Sequence, residues 1–227
     1  MSDAPERPSA LSPARKAWRF LRLLARPAFA RKLGTLATEG YLAETGWVRS
    51  VGTGAVVDAQ GAPLPWAALP FTDFIAARLR PEWNVFEYGA GASTLFYASR
   101  VGMVTAVEHD EAFAAHLRPR LPANARLLVH ALGTEGYAQA VRECVSAPEL
   151  VSVDGRDRVR CVEAARSRLA PGGVIVLDDA ERAEYAPALA GLVAAGFRPV
   201  EFWGLAPGGV ERKCTSVFYR SDNVLGL

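Results

Sequence analysis

A chain of 227 residues, half of them hydrophobic, can bury one full core and leaves little room for a second domain. Its 26 basic and 24 acidic residues give a formal charge of +2, so bulk charge announces no nucleic-acid partner and none is expected. No apolar run approaches the roughly 18 residues that cross a bilayer, the N-terminus has no apolar block with a cleavage site, and Cys144, Cys161 and Cys214 lack metal-ligand spacing, so a cytoplasmic protein with reduced cysteines is expected.

Residues 1–11 are polar and proline-bearing and read as disordered. Ser12-Pro13 has the form of an N-cap followed by proline at the first helical position, opening a helix towards Ala25 that Pro27 limits. On this helix Arg15, Arg19, Arg22 and Arg26 form one basic stripe, while Trp18, Leu21, Leu24 and Ala25 form an apolar face. That face either packs on the rest of the protein, the plainer reading, or meets an anionic membrane surface or a partner. Residues 12–33 are therefore a candidate peripheral membrane contact. A second helix is expected near Thr35–Glu44, ending around Gly46. Residues 47–65, rich in glycine and proline, read as a loop, and Phe71–Leu79 as the helix leading into the first strand.

Strands and helices then alternate, with strands near 84–88, 103–108, 126–130, 149–153 and 173–178. The run Val85-Phe86-Glu87-Tyr88-Gly89-Ala90-Gly91-Ala92-Ser93 ends an apolar stretch in an acid, two glycines and a small hydroxyl. Seventeen residues beyond Gly91, a second apolar run ends in Val107-Glu108-His109-Asp110. Strand, tight turn, helix, strand and terminal acid make the nucleotide-handling half of a doubly wound α/β sheet. Glu149–Gly155 and Pro171–Asp179 repeat the theme, as near-continuous apolar runs expected of parallel strands covered on both faces. Between them Val159, Val162 and Leu169 recur at helical spacing, with Arg158, Arg160, Arg166 and Arg168 largely off that stripe. Phe197–Trp203 and Cys214–Tyr219 are aromatic-rich strands joined by a short turn-forming connection, which implies an antiparallel pair. Ligands of such sheets lie outside the carboxyl ends of the strands. Glu87, Glu108, Asp154 and Asp178 each occupy such an end, putting four acids on one rim.

A dinucleotide fingerprint wants a third glycine where Thr94 stands, and Glu87 would repel a pyrophosphate. A carboxylate there suits a cofactor carrying an ammonium and a sulfonium. On Glu87-Tyr88-Gly89-Ala90-Gly91, an acid-x-Gly-x-Gly motif, the chain resembles the class I S-adenosylmethionine-dependent methyltransferases. The likeness runs from about Trp66 to the C-terminus and looks closest to the small-molecule O-methyltransferases, FkbM-like families among them. The resemblance implies an α/β fold: a doubly wound, mostly parallel, seven-stranded sheet with helices on both faces and an antiparallel last strand. Residues 1–33 are set apart as a basic amphipathic arm, and 34–227 as the methyltransferase domain with an N-terminal lid segment, 34–80.

The implied chemistry is methyl transfer from S-adenosylmethionine to a small-molecule hydroxyl. Gly89 and Gly91 let the backbone approach the methionine part of the cofactor, Ser93 caps the following helix, and Glu87 faces the ammonium group. Glu108 takes the ribose hydroxyls, His109 either lies against the adenine or is an exposed turn residue, and the adenine is expected near Ala131 and Leu132. Asp154 orients cofactor or acceptor. Arg156 either clamps an acidic group on the acceptor or pairs with Asp157 or Asp178. Asp154, Arg156 and Asp178 form the candidate catalytic set. Asp154, Asp178 and Asp179 are candidate ligands for Mg²⁺ together with two acceptor oxygens. The favoured reading is that Arg156 and Arg158 relieve the carboxylate repulsion instead. Competing readings are a nicotinamide-dependent oxidoreductase, disfavoured by Thr94, Glu87 and the aromatic antiparallel finish, and a cofactor-binding protein without catalysis. Trp47, Trp66, Phe71 and the segment near Tyr185 are expected around the acceptor, whose identity the sequence leaves open, as it does the oligomeric state.

Overall fold

A computed structural model describes residues 12–227. The reading of residues 1–11 as disordered lies outside the described residues. The chain divides into two compact units, Met1–Glu44 and Thr45–Leu227.

The first unit holds α1 (Pro13–Leu24), α2 (Pro27–Thr38) and α3 (Tyr41–Glu44). Both longer helices open on proline, whose missing N–H is no loss in the first turn. Pro27 therefore starts a helix as well as following one. The second helix begins eight residues before the expected Thr35 and stops at Thr38. Ser12 sits at the N-cap position of α1, but its side chain makes no capping bond. Neither α1 nor α2 buries a residue.

The second unit opens with α4 (Trp47–Thr53) and α5 (Leu69–Ala76). The helix α4 corrects the expectation of a loop over 47–65. Gly46 at its N-cap and Gly54 at its C-cap, with φ of 79° and 68°, bracket it, and these left-handed glycines mark helix ends rather than irregular chain. The alternating elements follow: β1 (Asn84–Tyr88), α6 (Ala92–Ala98), β2 (Met103–Glu108), α7 (Glu111–Leu117), β3 (Ala125–Val129), α8 (Glu135–Gln139), β4 (Leu150–Val153), α9 (Arg158–Arg166), β5 (Val174–Asp178), α10 (Ala186–Ala194), β6 (Arg198–Gly204) and β7 (Lys213–Tyr219).

The strands form one seven-stranded sheet in the order β3-β2-β1-β4-β5-β7-β6. Strands β1 to β5 pair in parallel, and β7 pairs antiparallel with both β5 and β6. The mostly parallel sheet and the inserted antiparallel last strand agree with the expected fold.

Successive strand side chains point to opposite faces, so each parallel run feeds two cores. Val85, Val104, Leu150, Val174 and Val176 join Phe71, Ile75, Phe96 and Tyr97 in one. Phe86, Tyr88, Val107, Val151, Ile175 and Leu177 join Tyr137, Val162 and Leu192 in the other. Burying each such side chain stabilises the fold by roughly 1.5–3 kcal/mol. Cys144, Cys161 and Cys214 are buried free thiols. Among the described residues no helix is long and apolar enough to cross a membrane. Strand order reverses at β1, which lies between β2 and β4. That reversal opens a crevice at the carboxyl ends of β1 and β4.

Candidate functional site

Glu87 lies one residue from the end of β1 and shares the parity of Val85, on the side of Phe96 and Tyr97. It is completely buried. Its Oε2 accepts a hydrogen bond from Thr94 Oγ1 at 2.5 Å, and Thr94 Oγ1 in turn accepts from Gly91 N at 2.9 Å. Its Oε1 has no partner. Gln139 Oε1 is the one other buried side-chain oxygen among the described residues in that position. Burial raises the Glu87 carboxyl to about pKa 7; the Ser93 and Thr94 hydroxyls oppose the rise, and the Glu108 charge adds to it. A buried carboxylate oxygen without a donor is costly, and an arriving ammonium relieves that cost. The geometry corrects one expectation here. Ser93 does not cap α6: the N-cap is Gly91, and Thr94 closes the turn onto it. Thr94, which had counted only as a missing glycine, thus organises the turn.

The two glycines do different work. Gly89 has φ of 89°, and a Cβ there would meet Gly155 Cα at 2.8 Å, so the turn after β1 packs directly against the turn after β4. A Cβ on Gly91 would meet nothing within 4 Å. Gly91 therefore borders open space that a side chain would fill.

Glu108, at the end of β2, is also buried. Its Oε1 accepts from His109 N at 2.7 Å and Asp110 N at 2.9 Å, and lies 2.7 Å from His109 Nδ1. Oε2 accepts a longer bond, 3.3 Å, from Ala90 N, which ties β2 to the glycine turn. Oε2 keeps spare acceptor capacity for a hydroxyl. His109 stands edge-on to Tyr137, with centroids 6.2 Å apart, while Ala131 and Leu132 are exposed. The Tyr137 hydroxyl accepts from Arg156 N at 3.3 Å and closes over the turn after β4.

Asp154, Asp178 and Asp179 form a second acid cluster, with oxygens within 4.8 Å of one another. Asp178 is buried; Thr215 donates to its Oδ1 at 2.6 Å and Lys213 to its Oδ2 at 2.5 Å. Asp179 holds a left-handed φ of 52°, a conformation aspartate tolerates better than most residues. It meets Arg182 at 2.7 Å, Lys213 at 3.1 Å and Arg158 at 3.3 Å. Burial, followed by the neighbouring Asp178 carboxylate, raises the Asp154 pKa well above the ordinary range, while Arg158 and Lys213 restrain it. Burial works to lower the Lys213 ammonium, but Asp178, Asp179 and Asp154 together push it above its usual value.

Arg158, expected with the arginines lying off the core stripe, is buried instead. Its guanidinium donates to the Asp154 carboxylate at 3.0 Å and to the main-chain oxygens of Gly155, Asp154 and Asp178. Arg156 is exposed, and Asp157 pairs with Arg160 at 3.2 Å. The sequence reading missed Lys213 and Thr215. Their meeting with Asp178 depends on the β5–β7 register, in which Asp178 stands opposite Thr215. Arg158 carried a local signal, its four-residue step from Asp154 into a helix start.

Residues 86–180 match the family model described as a methyltransferase domain. No curated protein matches the chain in sequence. Among solved structures, a precorrin-6y C5,15-methyltransferase from Geobacter metallireducens GS-15 is 16% identical with a TM-score of 0.54, covering 67% of this chain and 88% of that one. An rRNA methylase from Streptococcus thermophilus is 18% identical with a TM-score of 0.50, covering 65% of this chain and 92% of that one. At such identities the likeness shows the fold. These similarities leave the kind of acceptor open, give no support to the expectation that nucleic acid is excluded, and do not single out an FkbM-like branch.

Proposed function

We propose that this chain, whose residues 86–180 match a methyltransferase-domain model, is a class I S-adenosylmethionine-dependent methyltransferase that methylates a hydroxyl of a small-molecule acceptor. One observation carries the cofactor half of the reading: the fully buried, unpartnered Glu87 Oε1, on the carboxylate that Thr94 links to the open-faced Gly91. The residues present fit the cofactor. Glu87 would accept from its ammonium, Gly91 would admit its methionine portion, and Glu108 Oε2 would accept from a ribose hydroxyl. His109 and Tyr137 would border the nucleoside, and Ser93 would stay beside the Glu87 carboxylate in the first turn of α6. S-adenosylmethionine supplies an electrophilic methyl on a sulfonium.

The chain's own contribution to the reaction is alignment and proton handling. Good alignment of two reactants is worth roughly 7–11 kcal/mol of barrier. Asp154 follows β4 beside the glycine turn and is 29% exposed at its side chain, against 5% for Asp178. Its place beside the glycine turn and its greater exposure than Asp178 suit it to take the hydroxyl proton. Asp178 acts behind it, fixed by Lys213 and Thr215. Exposed Arg156 is placed to meet an acidic group on the acceptor. The charge distribution favours a small molecule over a polyanion. Residues 45–227 carry eighteen basic against twenty acidic side chains, and residues 1–44 hold the whole positive excess, eight against four. A rim of acids on a net negative unit does not attract a phosphate backbone.

Calorimetric titration with S-adenosylhomocysteine and with NADH tests the cofactor, with heat expected from the first alone. Incubation with methyl-labelled S-adenosylmethionine and cell extract tests the acceptor. Label in the low-mass fraction is expected; label confined to RNA would overturn the small-molecule reading.

The arm supports membrane association. From residue 12 to 38 the chain has seven basic side chains and no acid. Trp18, Phe20 and Leu21 are each more than half exposed on α1. Apolar side chains interleaved with arginines suit an anionic lipid surface, which rewards both.

A further inference from the structure

The acids following β4 and β5 offer a set of hard oxygen ligands of the kind a divalent cation prefers. In this chain a different cation is already seated among them. Lys213 Nζ lies 2.5 Å from Asp178 Oδ2 and 3.1 Å from Asp179 Oδ1, and donates to Trp66 O at 2.9 Å. An ammonium has three N–H donors, and these three acceptors use them all. The neighbouring oxygens are taken as well: Asp178 Oδ1 by Thr215, Asp179 Oδ2 by Arg182 and Arg158, and Asp154 Oδ1 by Arg158. Three carboxylates thus face three cationic side chains, Lys213, Arg158 and Arg182. An entering dication would leave two surplus positive charges and would have to strip Lys213 of its acceptors.

We propose that Lys213 Nζ is a covalently tethered replacement for a divalent cation at the Asp154–Asp178–Asp179 cluster, so that the acceptor is positioned without a metal chelating two of its oxygens. The consequence for substrate class rests on the methyl-transfer reading. A metal-dependent site needs two neighbouring oxygens on the acceptor; this site needs one hydroxyl within reach of Asp154. Lys213 acts through the acids it holds and is a positioning residue.

Mn²⁺ titration of the full chain, read by the electron paramagnetic resonance of the free ion, tests the seat directly. Wild type and Lys213→Arg are expected to leave the signal of equimolar Mn²⁺ unchanged. Lys213→Ala is expected to bind one equivalent at least tenfold more tightly than wild type, and adding Asp178→Asn is expected to abolish the gain. Wild-type binding as tight as that of Lys213→Ala would overturn the proposal. So would a folded Lys213→Ala that gains no Mn²⁺. Should the alanine variant fail to fold, Lys213→Met keeps the apolar stem and serves in its place. Titration of the same preparations with S-adenosylhomocysteine reports the state of the cofactor half. Its failure in wild type would count against methyl transfer while leaving the Mn²⁺ result intact.

Discussion

Replacing Glu87 by glutamine should make the ligand-free protein more stable and the cofactor complex weaker. Burial lifts the Glu87 carboxyl from 4.5 to about 7. At 1.36 kcal/mol per pKa unit, ionising it in the folded state costs about 3 kcal/mol more than in the unfolded chain. Because the folded pKa is the higher one, the folded protein binds the extra proton. The stability this lends is complete below pH 4.5 and is lost as pH rises through 7. Glutamine keeps the shape without the charge, so the variant's stability should stay flat across that window. At about pH 8 it should exceed wild type by about 3 kcal/mol, or ~9 °C in melting temperature for a domain of this size. Binding should move the other way. A hydrogen bond to a charged group is worth about 1.5–3 kcal/mol, so affinity for S-adenosylhomocysteine should fall roughly 10- to 100-fold. In wild type that affinity should also weaken as pH drops below 7, where the carboxyl holds its proton. Thermal melts across this pH range and calorimetry on both proteins measure these effects. A variant that melts no higher than wild type in mild alkali and binds the ligand equally well would show that Glu87 Oε1 is not an ammonium socket.

Gly89→Ala should destabilise by about 2 kcal/mol or more, from its positive φ and the clash with Gly155, whereas Gly91→Ala should leave the melting temperature nearly unchanged and weaken S-adenosylhomocysteine binding. Equal melting losses in the two would contradict their separate roles. Arg158→Met should cost about 3 kcal/mol or more by stranding the buried carboxylates, while exposed Arg156→Ala should stay within about 0.5 kcal/mol in urea denaturation and raise the acceptor KM. On phosphatidylserine vesicles, the full chain carrying Trp18→Ser and Leu21→Ser should co-sediment at least about tenfold less than wild type, since each apolar side chain contributes roughly 1.5–3 kcal/mol on burial. Unchanged sedimentation would remove the anchor.

The parallel strands, the antiparallel last pair and the rim of acids were all legible in the sequence. Each rests on a local signal: an apolar run covered on both faces, a short connection, an acid where the run stops. The glycine turn was readable for the same reason, though the division of labour between Gly89 and Gly91 was not, because it depends on Gly155 of another strand. Local signals also misled. Gly54 looked like loop and proved to close α4, and Pro27 looked like a helix limit and proved to open α2. Which charges meet at the rim was decided by the fold. Arg158 belongs by periodicity with solvated arginines, yet the start of α9 lies against the ends of β4 and β5, and it is buried there. Lys213 and Asp178 stand 35 residues apart and touch because β7 pairs with β5 in one register. Periodicity along a chain says which face a side chain occupies; only strand register across the sheet decides what it faces there.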